Sequence, residues 1–260
     1  MSEEIYNRLK ISSGDIITFL DDDDLYDRKR LETICEIFSN YSDVNYYKSN
    51  ITMVDSLGKV LPDKRNKQNC HGGLYSRRKL LRKGNLQKLQ LNLSSTTVRK
   101  KVFDPFIQIL PEMSVGQDIW LYYMAMAYGG MMYLDCTSLT YYRIHNFQIT
   151  GISSSVNHYL EGYWSTIKLE KAIQDEEVQN DLEKTRYRML LLSLSRRYNA
   201  SLEQILEGFG FYLRYFTLNI RDCKVLAYSI FALTSQIAFK KKAPSIISKI
   251  TNWFSRSGFI

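Results

Sequence analysis

The chain has 260 residues, 45% of them hydrophobic and 24% charged, a composition that supports a folded core and excludes general disorder. Against 27 Asp and Glu stand 35 Lys and Arg, a net charge of +8. By segment the charge is −6 over residues 1–58, +12 over 59–101, −5 over 102–207 and +7 over 208–260, so a uniformly basic nucleic-acid binder is excluded.

The four cysteines (Cys35, Cys70, Cys136, Cys223) form no CxxC pair, which argues against a zinc module or disulfide scaffold and predicts reduced thiols. The polar opening Met1–Lys10 predicts no secretory leader. The Asn-x-Ser/Thr triplets at Asn40, Asn50, Asn92 and Asn199 are therefore read as incidental.

In chain order, the apolar run Ile16–Leu20 predicts a strand buried on both faces of an α/β sheet. It runs into Asp21-Asp22-Asp23-Asp24. Asp27 is placed to cap a helix whose Leu31, Ile34, Cys35 and Phe38 recur at 3–4 spacing. Val44–Tyr47 and Asn50–Val54 read as two strands, and Asp55–Gly58 as a turn back into Lys59–Leu61. The basic block over residues 62–90 is turn-rich, with a helix around Leu74–Leu81. Leu93–Val98 reads as a strand, and Asp118–Tyr128 as a helix with Trp120, Tyr123, Met124 and Ala127 on one side. Met131–Leu134 and Leu139–Arg143 are strand-like. Beyond residue 157 the pattern is helical only, with a capping box Ser201-x-x-Gln204.

The tail reads as a membrane-surface element. Val225–Phe239 is largely apolar and leads into Lys240-Lys241-Lys242. As a helix it spans roughly 22 Å, short of the ~30 Å hydrocarbon core. After Pro244 come Ile246, Ile247, Ile250, Trp253 and Phe254, which with the basic residues suit an anionic surface. The plainer reading is a helical cap with a solvated lysine run.

The sharpest chemical feature is a strand ending in four adjacent carboxylates, which repel unless a cation neutralises them. Oxygen donors point to a hard ion, Mg²⁺ or Mn²⁺. Strand alternation would place Asp21 and Asp23 on one side. An EF-hand fits poorly, because Leu25 and Tyr26 stand where an oxygen ligand and a glycine belong. An aspartyl-nucleophile phosphatase lacks its downstream partners. The Asp-x-Asp site of a nucleotide-sugar glycosyltransferase is the third reading, and a solvated acidic turn the plain one.

Gly14-Asp-Ile-Ile-Thr-Phe-Leu-Asp-Asp-Asp-Asp-Leu-Tyr26, followed by Arg30-Leu31, resembles the central motif of family 2 glycosyltransferases. Gly116-Gln117-Asp118-Ile-Trp-Leu is similar to that family's Glu-Asp signature, with Gln117 at a usually acidic position. Tyr142-Arg143-x-His145, with Gln148 and Thr150, is similar to its Tyr-Arg-x-His segment. The resemblance covers residues 5–155 and lacks the family's usual first strands.

The resemblance implies an α/β fold of GT-A type, a mixed sheet with flanking helices over residues 1–156, truncated at its N-terminus. An all-helical C-terminal extension would fill residues 157–260. Asp118 would be the catalytic base. Asp21, Asp22, Arg143 and His145 would face the nucleotide-sugar donor, and Asp23, Asp21 and His145 the divalent cation. The plainer alternatives are a helix-start carboxylate for Asp118 and a structural loop histidine for His145. His71 reads as solvated, and Tyr122, Tyr123 and Tyr128 as core.

The implied function is metal-dependent, inverting transfer of a sugar from a nucleotide-sugar donor to an acceptor hydroxyl. The acceptor would be a glycan or a lipid-linked molecule, at the inner, cytoplasmic face of the cell membrane, with no nucleic-acid partner. A partner chain completing the sheet is one way to supply the absent strands. The alternative is a catalytically inactive, membrane-associated scaffold derived from the same fold.

Overall fold

The computed structural model describes residues 2–62, 72–83, 92–113, 116–144 and 156–196, together with Ile230. Cys70, His71, His145, Ser201–Gln204 and, apart from Ile230, the apolar and basic tail lie outside the described residues.

Helix α1 (Ser2–Ile11) precedes β1 (Ile16–Thr18), β2 (Leu25–Tyr26), α2 (Arg30–Asn40) and the long strand β3 (Val44–Val54). Then follow β4 (Gly73–Ser76), α3 (Arg77–Lys83), β5 (Thr96–Arg99), α4 (Gln117–Tyr128) and β6 (Met131–Arg143). Helices α5 (Val156–Ala172) and α6 (Glu176–Arg196) come last. Residues 1–148 and 168–179 form one compact unit, and residues 149–167 and 180–260 another. The second is described over 156–167 and 180–196, all of it helical, and at the isolated Ile230. Among the described residues no helix is long and apolar enough to cross a membrane.

The strands order as β1-β5-β3-β6-β2, with β4 also paired to β6. β3 and β6 are parallel and the other pairings antiparallel, a mixed sheet as the sequence predicts. α2 packs Ile34 and Phe38 against Val44, Tyr47 and Leu139 on one face. On the other face Tyr46 meets Tyr122 of α4 edge to face, ring centroids 5.9 Å apart. Trp120 to Met126 are all buried, so α4 is enclosed on every side rather than one. Tyr122 and Tyr123 are core residues; Tyr128 is exposed.

Several elements differ from their sequence reading. β1 is an edge strand whose three residues are half-buried, not a strand buried on both faces, because β5 is its neighbour on one side only among the described residues. The two strands expected between Val44 and Val54 are one, since Lys48 and Ser49 are buried and hydrogen-bonded. Met131–Leu134 and Leu139–Arg143 are likewise one bent strand, whose register against β3 shifts around Asn50. The helix expected around Leu74–Leu81 starts only at Arg77, after β4. Leu93–Ser95 is a single 3₁₀ turn before β5. Along α2 the buried stripe is Arg30, Ile34 and Phe38, while Leu31 and Cys35 are exposed. Cys136 is disulfide-bonded, against the expectation of four thiols.

Candidate functional site

The four aspartates do not continue β1. They form a tight turn in which the Asp24 N–H donates to the Asp21 carbonyl at 3.1 Å. Strand alternation therefore stops at the turn. Asp22 is exposed, Asp21 and Asp23 are half-buried, and Asp24 is buried. Ser94 holds the front of the turn, its Oγ accepting the Asp21 N–H at 3.0 Å. Asp24 closes the back: Oδ1 accepts the Arg143 N–H at 3.0 Å and Oδ2 accepts Asn92 Nδ2 at 3.0 Å. The Arg143 guanidinium donates from Nε to the Asp23 carbonyl and from Nη1 to the Ser56 carbonyl, each at 2.8 Å. It clamps the turn through the backbone.

Burial, then the charges of Asp24 and Asp23, push the Asp21 carboxyl up to about 6; Asp118 adds a smaller push and a Ser94 hydrogen bond opposes. That influence places Asp118 in the electrostatic neighbourhood of the turn.

Asp118 lies in the first turn of α4, behind Gly116, whose φ of +84° suits glycine. The Gly116 carbonyl accepts the N–H groups of Ile119 and Trp120, both at 3.0 Å. Asp118 Oδ1 accepts the Ile119 N–H at 2.9 Å, and Oδ2 accepts the Asn92 N–H at 3.2 Å. Burial raises the Asp118 carboxyl above its ordinary value, against the charge of Lys48 and these N–H groups.

Lys48 is 4% exposed and donates from Nζ to the Asn92 carbonyl at 2.6 Å and to Thr96 Oγ1 at 3.1 Å. Desolvation brings its ammonium down to about 7, with Asp118 opposing and Arg30 assisting. Alternation along β3 puts Tyr46 and Lys48 toward α4. Ser49 lies toward α2, where its Oγ accepts Arg30 Nη1 at 2.7 Å.

Asn92 meets all three groups. Its φ of +71° is the only positive value at a non-glycine position among the described residues. Its Oδ1 accepts the Ser95 N–H at 2.8 Å, and its carbonyl also accepts Ser95 Oγ at 3.0 Å. In the sequence Asn92 stands out only as the start of an incidental Asn-x-Ser/Thr triplet. The available signal was that asparagine tolerates positive φ and caps the residue three on. Lys48 carries no signal in the sequence, because a polar pair inside a strand pattern reads as a break.

Of the residues singled out in sequence, Asp21, Asp23, Asp118 and Arg143 are brought together, and Asp22 sits at the exposed tip of the turn. His145 lies outside the described residues. Among the described residues no three His, Cys, Asp or Glu side chains converge as a ready metal centre.

No family model and no curated protein sequence matches this chain. Among solved structures it is similar to S. aureus TarS residues 1–349 in complex with UDP-GlcNAc, with a TM-score of 0.51 and 12% sequence identity, over 97% of this chain and 71% of that one. A second structure of TarS 1–349 has a TM-score of 0.49 and 13% identity, over 99% and 71%. At that identity the likeness is one of fold, and the chain has a GT-A-like fold.

Proposed function

We propose that this chain is a family 2-like glycosyltransferase that moves a sugar from a nucleotide-sugar donor to an acceptor hydroxyl. The observation that carries the reading is the placement of Asp118 beside the Asp21–Asp24 turn, joined to it by Asn92, on a GT-A-like sheet. A nucleotide-sugar donor is supported by the UDP-GlcNAc of the TarS complex.

In this reading Asp118 accepts the proton of the acceptor hydroxyl as that oxygen bonds to the anomeric carbon. The bond from that carbon to the donor's diphosphate breaks, and the diphosphate leaves with the bonding pair. A single displacement of this kind inverts the anomeric configuration. Burial serves the base: its raised pKa makes the carboxylate a better proton acceptor near neutrality.

A divalent cation fits the donor set in part. Both oxygens of Asp24 accept hydrogen bonds, from Asn92 and the Arg143 N–H; by the motif resemblance, Asp21 and Asp23 are the carboxylates that would hold Mg²⁺ or Mn²⁺. The Asp21 carboxyl is raised first by burial and then by the charges of Asp24 and Asp23, and a cation would offset that cost of keeping it ionised. Bound there, the ion would act as a Lewis acid toward the departing diphosphate. A peripheral membrane location rests on the sequence of the basic, apolar tail, and loss of liposome binding on deleting residues 208–260 is its check.

The deciding experiment measures nucleoside diphosphate release from UDP-GlcNAc and a panel of other sugar nucleotides, with and without Mn²⁺. Asp118→Asn is expected to lower the rate by about 10²-fold or more, and Asp23→Ala to remove the Mn²⁺ dependence. Equal rates in wild type and both variants would overturn the assignment.

A further inference from the structure

We propose that Asn92 is a positioning residue that sets the separation between the base Asp118 and the Asp21–Asp24 turn, so that acceptor and donor meet at reacting distance. This rests on the glycosyl-transfer reading above and assigns that site a residue the sequence motifs do not contain.

The two groups come from different parts of the fold. Asp118 opens α4, and the aspartate turn joins β1 to β2. Asn92 touches both: its backbone N–H donates to Asp118 Oδ2 at 3.2 Å, and its side-chain Nδ2 donates to Asp24 Oδ2 at 3.0 Å. From Asp24 the contacts continue through the Arg143 N–H and back from Arg143 Nε to the Asp23 carbonyl. One peptide plane and one amide plane therefore fix where the base lies relative to the carboxylates proposed for the cation.

The backbone conformation makes that possible. A positive φ is uncommon for a residue with a side chain, and it persists where the surroundings over-determine it. Here they do: the carbonyl takes Lys48 Nζ, and Oδ1 takes the Ser95 N–H. A cap for the 3₁₀ turn at Leu93–Ser95 needs only a side-chain oxygen, which aspartate or serine supplies equally well. What neither supplies is the N–H donor toward Asp24. The amide is thus specific to bridging the turn, not to capping. A misplacement of about 1 Å between reacting groups costs on the order of 10²-fold in rate, so the bridge acts on turnover more than on donor binding.

The test uses Asn92→Asp, Asn92→Gly and the swap Asn92→Asp with Asp24→Asn, in the full chain. Asn92→Asp keeps the cap oxygen but sets a carboxylate against Asp24. Asn92→Gly keeps the positive φ and the backbone donor, and covers the case where the aspartate variant fails to fold. In the swap the amide at position 24 donates to the carboxylate at position 92 while its oxygen still accepts the Arg143 N–H. With UDP-GlcNAc and the same donor panel, both single variants are expected to lose at least about tenfold in kcat. Donor KM should stay within about threefold, and the swap should recover most of the loss. Wild-type kcat in both single variants overturns the proposal, as does a loss confined to KM. If wild type releases no nucleoside diphosphate from any donor, the glycosyl-transfer reading fails, and crystal structures of wild type and Asn92→Gly then decide. An unchanged distance from Asp118 to the turn overturns the positioning role; a shift beyond roughly 0.5 Å upholds it.

Discussion

Lys48 and Asp118 tune each other: the lysine's charge draws the Asp118 carboxyl down against its burial, and Asp118 draws the Lys48 ammonium up against its own. One comes from the middle of β3, the other from the first turn of α4. Of the two, only Asp118 acts on the nearby aspartate turn, adding to the push on Asp21.

Activity gives the first test of that coupling. Asp118 must be a carboxylate to accept a proton, and its pKa lies above 3.8. The kcat/KM profile should therefore rise along an acid limb displaced upward from the ordinary carboxylate range. Lys48→Met removes the charge that lowers this pKa, so the limb should move to higher pH. Superimposable limbs in pH–rate profiles of the two proteins would show that the pair is not coupled.

Stability gives the second. The folded-state pKa of Lys48 is about 7, below its ordinary value of 10.5, so the unfolded chain binds more protons between those values. The penalty of burying the ammonium is complete below pH 7 and relieved as pH rises toward 10.5. The charged neighbours acting on it are Asp118 from α4, which opposes the shift, and Arg30 from α2, which adds to it. Urea midpoints measured from pH 7 upward should rise less steeply in Lys48→Met than in wild type.

Asp24 has a structural role separable from that of Asp23. Asp24→Ala strands two donors, Asn92 Nδ2 and the Arg143 N–H. At no more than about 1–3 kcal/mol for each of these part-buried donors, the expected cost is up to roughly 6 kcal/mol by denaturant unfolding. Asp24→Asn should cost about half as much, since its oxygen still serves Arg143 while its amide opposes that of Asn92. Equal stability of Asp24→Ala and wild type would refute the contact set.

Two glycines with similar backbone should respond very differently to alanine. Gly116 has φ +84° and open space where a Cβ would sit, so Gly116→Ala should cost about 1–2 kcal/mol of backbone strain. Gly130 has φ +80°, and a Cβ there would meet Asn45 Nδ2 at 2.3 Å and the Asp43 carbonyl at 2.5 Å. Gly130→Ala should add about 1–3 kcal/mol of overpacking to the same strain. Thermal unfolding of the two variants ranks them directly, and an inverted order would refute the close approach of the β6 start to Asp43.

What the residues determined alone is the local grammar. The apolar run at Ile16, the carboxylates after it, the helix opening at Asp118 and the strand ending at Arg143 were legible because each depends on neighbours within a few positions. The motif order also anticipated a mixed sheet. Tertiary structure decided the rest. Lys48 and Ser49 looked like a break in β3 because a buried polar side chain is tolerated only with partners, and those partners lie on β5, on α2 and at Asn92. Arg30 displaced Leu31 from the buried stripe of α2 because its guanidinium donates to Ser49 and lies over the Tyr26 ring. Asn92 had no motif to announce it, since its role is a distance between two groups remote in the chain. A pattern of residue types carries periodicity and charge. Which buried donor meets which acceptor is settled only when the sheet registers are closed.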